Sequence, residues 1–216
     1  MPAQFEYFNV GDGPCAEFSI DDGPAVATSF PTSHILTEAL ICLPGFNPEL
    51  PTDVTITASD GTQSSRIAPE QGAYDDPPTV YQGIPYLLFL LELYAPTGAY
   101  EITAQQGATV KYASFEAAQP PVALLRVRPQ TNGSPGDAFT VELAGFEPGR
   151  PAVVDVYIGE GTFTYVTSLS SRPTDAEGRA ELFVSTTPAD PVGIYCFVVR
   201  DAGSPSCGTG SVVKLG

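Results

Sequence analysis

The sequence is poor in the side chains on which catalysis and nucleic-acid binding depend. It has no tryptophan, one histidine, and nine lysines and arginines against twenty-five aspartates and glutamates, for a net charge of -16. A chain with this charge repels a phosphate backbone instead of releasing its counterions. Nucleic acid is therefore not expected as a partner.

The single histidine, His34, restricts the catalytic sites that the chain can build. A Ser-His-Asp or Cys-His site would have to use this residue, and no G-x-S-x-G motif surrounds a nucleophile. Because His34 precedes an apolar stretch, we interpret it as a structural or surface residue. Two carboxylates could still hydrolyse a glycoside, since the spacing they need is spatial and not sequential. The prediction is no enzymatic activity and no cofactor.

Apolar runs long enough to cross a membrane are also missing. The most apolar run, YLLFLLELY at 86–94, has nine residues, includes Glu92 and lies between Pro85 and Pro96, whereas a membrane helix needs about 20. We interpret it as a buried strand. The first ten residues lack the basic and apolar regions of a secretion leader. Membrane insertion is not expected.

Cysteine is scarce but evenly divided. Cys15 and Cys42 lie in the first half of the chain, and Cys196 and Cys207 lie in the second. This division predicts one disulfide in each half and hence an oxidising, extracellular or cell-surface location. The alternative is a zinc ion held by all four thiolates, but such a site favours close pairs such as C-x2-C, which the sequence lacks.

Turn residues are abundant, and a long phrase is repeated. The chain has 22 prolines and 21 glycines, and the phrase GFNPELPTDVTITASDGT at 45–62 returns as GFEPGRPAVVDVYIGEGT at 145–162 with seven of eighteen positions identical. A second pair follows, PTGAYEI at 96–102 and PVGIYCF at 191–197. The repetition predicts one module present twice.

The segment EAAQPPVALLRV contains the predicted boundary between the modules. Paired prolines at 120 and 121 make a short, semi-rigid hinge, so the domains are placed at 1–119 and 120–216. Up to Ala118, fifteen acidic residues face two basic ones, and beyond it ten face seven. This asymmetry is typical of a solvated acidic surface. Alternatively, the acidic half of one molecule contacts the arginine-bearing half of another.

Both halves consist of short runs with strand character and show no apolar period of 3.6 residues over a helical length. The second half has seven such runs: VALLRV, AFTVEL, AVVDVYI, TFTYVTSL, RAELFVS, GIYCFVVR and GSVVKL. The first half has ILTEALICL, DVTITAS, YLLFLLELY, AYEITAQ and VKYASF. The predicted fold class is all-β, with two sandwiches in tandem.

Three phrases of the second half are informative about the family: Gly-Phe-x-Pro-Gly at 145–149, Asp-Ala-x-Gly-x-Ala at 175–180 and Pro-x-Gly-x-Tyr at 191–195. They resemble the immunoglobulin-like or fibronectin type III-like domains that stand in tandem in secreted and cell-surface proteins of bacteria. The first half keeps the first and third phrases, but PEQGAYDDPPTVYQGIP at 69–85 replaces the second. The resemblance implies two tandem immunoglobulin-like β-sandwiches in an extracellular protein.

The tyrosines divide into two predicted roles. Tyr100 and Tyr195 stand where such a sandwich has a tyrosine corner, with the ring packed inside and the hydroxyl bonded to backbone. Because tryptophan is missing, the exposed aromatic platform of many sugar-binding modules would have to come from other tyrosines. The candidates are Tyr74, Tyr81, Tyr86 and Tyr165.

Four acidic or polar motifs resemble functional sites but are better explained as turns. Asp21-Asp22 and Asp75-Asp76 offer oxygen ligands for Ca²⁺, yet neither has the spacing that builds a calcium loop. Asp60-Gly61-Thr62 reverses the Asp-Thr-Gly order of aspartic proteases. Asn132-Gly133-Ser134 matches the glycosylation pattern, but Asn-Gly is also a common tight turn. No metal site is predicted.

The N-terminal stretch has no counterpart in the second half. FEYFNV at 5–10 and CAEFSI at 15–20 are predicted as extra strands, which either extend their own domain or complete a sheet of a neighbouring molecule. The sequence thus predicts a non-enzymatic extracellular structural or adhesive protein, a surface-fibre subunit or spacer. The alternative is a carbohydrate- or polymer-binding accessory module. The partner would be another protein, a second copy of the chain, or a polysaccharide.

Overall fold

The computed structural model describes residues 15–18, 23–28, 30–70, 79–128, 133–160, 162–200 and 211–215. In these residues the regular secondary structure is entirely β-strand, and no helix is long and apolar enough to cross a membrane. The predicted all-β class is confirmed.

Two compact units divide the chain. Unit 1 comprises Met1–Leu91 and Ala95–Ala118, and unit 2 comprises Glu92–Tyr94 and Gln119–Gly216. This division differs from the predicted boundary by Gln119 and by the three residues Glu92–Tyr94.

Unit 1 contains two sheets. Its strands are β1 (Ala27–Thr28), β2 (Thr32–His34), β3 (Glu38–Cys42), β4 (Thr52–Thr57), β5 (Gln63–Ala68), β6 (Val80–Tyr81), β7 (Ile84–Leu90), β8 (Gly98–Gln106) and β9 (Thr109–Ala118). The strand orders are β1-β3-β7-β6 and β2-β9-β8-β4-β5, and β2 runs parallel to β9. The ring centroids of Phe89 on β7 and Tyr100 on β8 lie 6.2 Å apart. The two sheets therefore pack face to face around an apolar core.

Unit 2 is a smaller sandwich of the same kind. Its strands are β10 (Leu124–Arg128), β11 (Ala138–Ala144), β12 (Pro151–Glu160), β13 (Thr162–Pro173), β14 (Ala180–Ser185), β15 (Gly193–Val199) and β16 (Ser211–Leu215). A three-stranded sheet, β10-β11-β14, faces a four-stranded sheet, β13-β12-β15-β16. Both sheets contribute inward-facing residues to one core, which includes Val127, Phe139, Leu143, Val154, Phe197 and Val213.

The sequence prediction of the strands is confirmed for all seven runs of the second half. In the first half the run at 86–94 is only partly a strand, because β7 ends at Leu90. Leu88 is exposed, and Glu92–Tyr94 belongs to unit 2. The prediction of one buried strand over this run is therefore wrong at its C-terminal end.

The second predicted N-terminal strand, CAEFSI, is also wrong over its described residues. Cys15–Glu17 forms a turn instead of a strand, and Cys15 is joined to Cys42 of β3 by a disulfide with 5.8 Å between the Cα atoms. Cys15 packs with Leu40, Cys42 and Ile84 in a small buried cluster. The disulfide thus fixes the end of the N-terminal segment on unit 1. The first predicted strand, FEYFNV, lies outside the described residues.

The repeated Gly-Phe phrase forms the same crossing from one sheet to the other in both units. Gly45 and Gly145 have φ of 72° and 77°, a region that favours glycine. A Cβ atom on Gly45 would lie 2.3 Å from the carbonyl carbon of Gly23, and a Cβ atom on Gly145 would lie 2.7 Å from the carbonyl oxygen of Val122. The segment that enters each unit therefore passes directly over the turn, where only glycine leaves room.

This packing changes the interpretation of the paired prolines. Pro120 is buried, and its ring would lie 2.9 Å from a Cβ atom on Gly145. Pro120 is therefore part of the packed structure of unit 2 and not of a free hinge.

Both predicted tyrosine corners are confirmed. The hydroxyl of Tyr100 donates a hydrogen bond of 2.9 Å to the carbonyl of Pro96, and the hydroxyl of Tyr195 donates one of 2.8 Å to the carbonyl of Pro191. Burial raises the pKa of both phenols, so both stay protonated donors at neutral pH.

Two substitutions in one turn test the role of the crossing glycine. We expect Gly145→Ala to lower the free energy of unfolding of unit 2 by about 3 kcal/mol, because the methyl group adds a steric clash to the cost of positive φ. Gly149→Ala is the matched control: its φ is 75° and nothing lies within 4 Å of an added Cβ atom, so we expect a loss of about 1 kcal/mol. Urea unfolding followed by circular dichroism measures both, and equal losses would contradict this account.

Candidate interaction surface

Strand β13 forms an unusually open edge of unit 2. It has twelve residues, and among the described strands it pairs only with β12. From Thr162 to Ser171 it contains neither a charged residue nor a proline. Natural edge strands normally carry such residues because they prevent pairing with other chains. The free edge of β13 can therefore accept another strand.

The other edge strands among the described residues are protected. Charged residues lie on β5 (Arg66), β10 (Arg126 and Arg128), β14 (Glu181) and β16 (Lys214). The remaining edges, β1, β2 and β6, have only two or three residues. Short and charged edges pair poorly with other chains, which leaves β13 as the candidate.

An apolar groove runs beside β13, where the two sheets of unit 2 separate. Its volume is about 190 Å³. It is lined mainly by Phe139, Val156, Val166, Leu169, Val184 and Tyr195. A register shift in the pairing of β12 with β13 follows Val156, and Val166 in this bulge is 49% exposed at the mouth of the groove. A side chain that enters the groove would therefore meet a mainly apolar lining, in which Thr167, Ser185, Thr186 and Asp190 are the polar members.

A polar cluster covers the outer face of the same strands. Ser168 on β13 donates a hydrogen bond of 2.6 Å to Asp155 on β12, and its hydroxyl lies 2.7 Å from that of Tyr165. Arg200 forms a salt bridge of 2.7 Å with Asp155. This hydrogen-bonded guanidinium holds the pKa of Asp155 below its ordinary value of 3.8. The cluster fixes β13 on β12, and the ring of Tyr165 packs edge-on against that of Tyr157, with 5.7 Å between the centroids, while it stays 53% exposed.

The three-stranded sheet of unit 2 carries a buried ion network on its outer face. The Nε of Arg126 on β10 donates to Glu142 on β11 over 2.6 Å, and the two side chains are only 6% and 9% exposed. Glu92 accepts from Arg126 over 2.6 Å and also from Arg128. Burial opposes the ionisation of Glu92, but the hydrogen bonds from Arg128 and Arg126 outweigh it and lower its pKa. Glu92–Tyr94 is therefore an integral part of unit 2.

Tyr94 extends the same contact. The guanidinium of Arg179 lies 5.4 Å from the centre of the Tyr94 ring, within the range of a cation–π interaction. Arg179 also forms a salt bridge of 2.9 Å with Asp175, and Leu93 between the two contact residues is buried. Together these contacts cover the part of the three-stranded sheet around Glu142, whereas Phe183 on β14 stays 76% exposed.

The structure places the predicted cysteines at buried positions wherever they are described. Cys15 and Cys42 form the disulfide of unit 1. Cys196 is buried on β15 and is disulfide-bonded, and the predicted partner Cys207 lies outside the described residues. The structure thus contains cystine in place of the thiolates that a zinc site would need.

His34 and the turn motifs occupy separate places in unit 1. His34 is half-buried on β2, and its Nδ1 has no hydrogen-bond partner among the described residues. Asp60-Gly61-Thr62 is the predicted turn, in which the backbone N–H of Thr62 donates to Asp60 over 2.9 Å. This bond holds the pKa of Asp60 below 3.8. The calcium candidates Asp21-Asp22 and Asp75-Asp76 and the glycosylation candidate Asn132 lie outside the described residues.

The exposed tyrosines differ in part from the predicted platform. Tyr165 is 53% exposed, whereas Tyr81 and Tyr86 are half-buried and Tyr74 is outside the described residues. Tyr112 on β9 is 74% exposed and was not a sequence candidate. It lies opposite Thr103 of β8, and Thr103 lies opposite Thr55 of β4. Tyr112 thus stands at the margin of a polar sheet face.

Comparisons with known proteins identify no family for this chain. No protein-family model matches it, and no curated protein matches it. Among solved structures it is similar to a Salmonella alpha-2-macroglobulin (12% identity, TM-score 0.33, 90% of this chain and 15% of that chain). It is also similar to a tetra-tandem repeat from the extending region of a large adhesion protein (14% identity, TM-score 0.32, 88% of this chain and 47% of that chain). A third similar structure is the teleost fish polymeric Ig receptor ectodomain (10% identity, TM-score 0.31, 89% of this chain and 96% of that chain).

Likeness of this degree assigns neither a family nor an activity. The chain spans only a small part of the macroglobulins that it resembles, 15% in one case and 20% in the protein from Escherichia coli.

The buried ion network gives a prediction about stability. We expect Glu142→Gln to lower the free energy of unfolding of unit 2 by about 3 kcal/mol, because it leaves the buried charge of Arg126 poorly compensated. Glu147→Gln is the matched control, since Glu147 and Arg150 form an exposed pair worth at most about 1 kcal/mol. The double variant Arg126→Met, Glu142→Met should recover most of the loss. Thermal and urea unfolding measure all three, and a neutral Glu142→Gln variant would refute the role of the network.

Proposed function

We propose that this chain is a non-enzymatic, extracellular structural or adhesive protein, such as a surface-fibre subunit or spacer. The observation that carries the proposal is the edge of β13, which is long, is uncharged from Thr162 to Ser171 and lies beside an apolar groove. An edge of this kind favours association through strand addition. We infer that it is an assembly surface and that the sandwiches serve to present it.

The disulfide supports an extracellular location. Cys15 and Cys42 are buried and bonded, and disulfides form and persist mainly in oxidising compartments. By the chain-entropy estimate, closing a loop of this size stabilises the fold by about 3 kcal/mol. Such a bond suits a small β-sandwich that must withstand proteolysis outside the cell.

The roles of the titratable side chains support a structural function. The hydroxyls of Tyr100 and Tyr195 bond to backbone carbonyls, the carboxylate of Asp60 closes a turn, and Glu142 neutralises Arg126. Each of these contacts holds the fold together.

A second function, polysaccharide binding, is favoured by one observation. The ring of Tyr112 is 74% exposed beside a row of polar side chains on neighbouring strands, Thr103, Thr55 and Ser65. Aromatic rings next to hydroxyl groups suit the apolar faces and polar edges of sugars. Tyr165 offers a second exposed ring on unit 2.

Sedimentation velocity and negative-stain imaging of the purified chain test the assembly proposal. We expect oligomers or filaments whose population rises with protein concentration. Because the proposed contact is apolar and backbone-mediated, high salt should weaken it little, whereas contact between acidic and arginine-bearing halves would be lost in high salt. A strictly monomeric chain at all concentrations would refute the proposal.

A glycan array separates the alternative function. If the chain binds polysaccharide, Tyr112→Ala should weaken the signal by about tenfold, since stacked aromatic residues often dominate binding. Tyr81→Ala is the control: it removes a half-buried tyrosine ring of the same unit that lies outside the proposed binding face, so it should leave the signal unchanged. Array signal that does not respond to Tyr112→Ala would contradict the assignment of this face.

A further inference from the structure

We propose that the free edge of β13 binds residues 5–10, FEYFNV, of a second copy of the chain as an added strand. The inference rests on the proposed assembly function and deepens it, because it names the partner of the same surface.

The edge supplies the backbone part of the contact. In a strand paired on one side only, every second residue directs its N–H and C=O groups away from the sheet, where another strand can bond to them. The stretch Thr162–Ser171 is uncharged. Because the whole chain has a net charge of -16, two copies approach each other with least repulsion where both surfaces are uncharged.

The groove supplies the side-chain part of the contact. Its volume of about 190 Å³ exceeds the roughly 150 Å³ of an apolar cavity that holds benzene. It can therefore hold one aromatic ring of an added strand, between Val166 and Leu169 on β13 and Val184 on β14. Pairing of two β13 edges with each other would leave this groove empty, so we favour a donor strand that carries aromatic residues.

The N-terminal segment has the chemistry that the groove requires. Residues 5–10 contain Phe5, Tyr7 and Phe8 together with Val10, and Glu6 is their only charge. Because neighbouring side chains in a strand point to opposite faces, Phe5 and Phe8 lie on different faces of the added strand. Only one of the two rings can enter the groove.

The anchor of the segment allows it to reach another molecule. Fourteen residues precede Cys15, which the disulfide holds on β3 of unit 1. Residues 11–14, Gly-Asp-Gly-Pro, separate the proposed strand from this anchor and can extend over about 13 Å. A donor strand on this tether remains covalently tied to its own molecule, as assembly into a chain of subunits requires.

A labelled peptide tests the proposal. Fluorescein-labelled peptide of residues 3–12 is titrated with the full chain, and binding is followed by fluorescence anisotropy. We expect saturable binding that Val166→Lys weakens by about tenfold or more. Phe183→Lys is the matched control, because Phe183 is 76% exposed on β14 but does not line the groove, and it should change the affinity by less than about twofold. A scrambled peptide should not bind.

Two further measurements do not depend on the stability of a variant protein. Peptides with Phe5→Ala or Phe8→Ala should differ, with one of them losing about tenfold in affinity and the other little. Unlabelled peptide added to the unaltered chain should slow amide hydrogen exchange in Thr162–Ser171 and leave β5 unchanged. Absence of saturable binding, or binding that Val166→Lys and Phe183→Lys weaken equally, would overturn the proposal. Oligomers that form without peptide binding would overturn it and leave the assembly function standing.

Discussion

In each unit one of the crossings from one sheet to the other is made at a glycine, and the packing of the sandwich depends on this turn. Gly45 leads from β3 to β4, and Gly145 leads from β11 to β12. Both have positive φ, and the segment that enters the unit lies directly above them. A side chain at either position would displace the turn or the entering segment and so destabilise the packing of the unit. The same phrase therefore appears twice in the sequence.

Much of this fold can be predicted from local patterns. The seven strands of unit 2 follow from apolar runs between turns, and the tyrosine corners follow from a repeated phrase. The strands that were missed in unit 1 lack such a pattern. β1 and β6 have two residues each. β5 has the mostly polar sequence QSSRIA, because an edge strand buries only part of one face. These strands form because they pair with strands that are distant in the sequence, and a short stretch of sequence does not show such pairing.

The candidate surface is harder to predict from the sequence than the fold. TFTYVTSL was predicted as a strand, but whether a strand is central or at an edge depends on the order of strands in the sheet. Arg126 and its partner Glu142 are 16 residues apart. Glu92, which also accepts a hydrogen bond from Arg126, lies 34 residues before it. The run YLLFLLELY was misread for the same reason: its apolar composition predicts a longer strand, whereas Glu92 pairs with distant arginines. Long-range pairing of charges leaves no periodic signal.

The distribution of charge differs between the sheet faces of unit 2 and the edge at β13. On the outer face of the three-stranded sheet, Glu92 and Glu142 pair with Arg126, and only the Nη1 of Arg126 lacks a hydrogen-bond partner among the described residues of this cluster. On the outer face of the four-stranded sheet, Arg200 and Asp155 neutralise each other. Surfaces with internally paired charges remain hydrated and offer little free energy to a partner. The uncharged stretch Thr162–Ser171 of β13 has, among the described strands, a partner on one side only, and an apolar groove lies beside it. Added contacts there would gain hydrogen bonds and apolar burial together, which is why we propose strand addition at this edge as the association of unit 2.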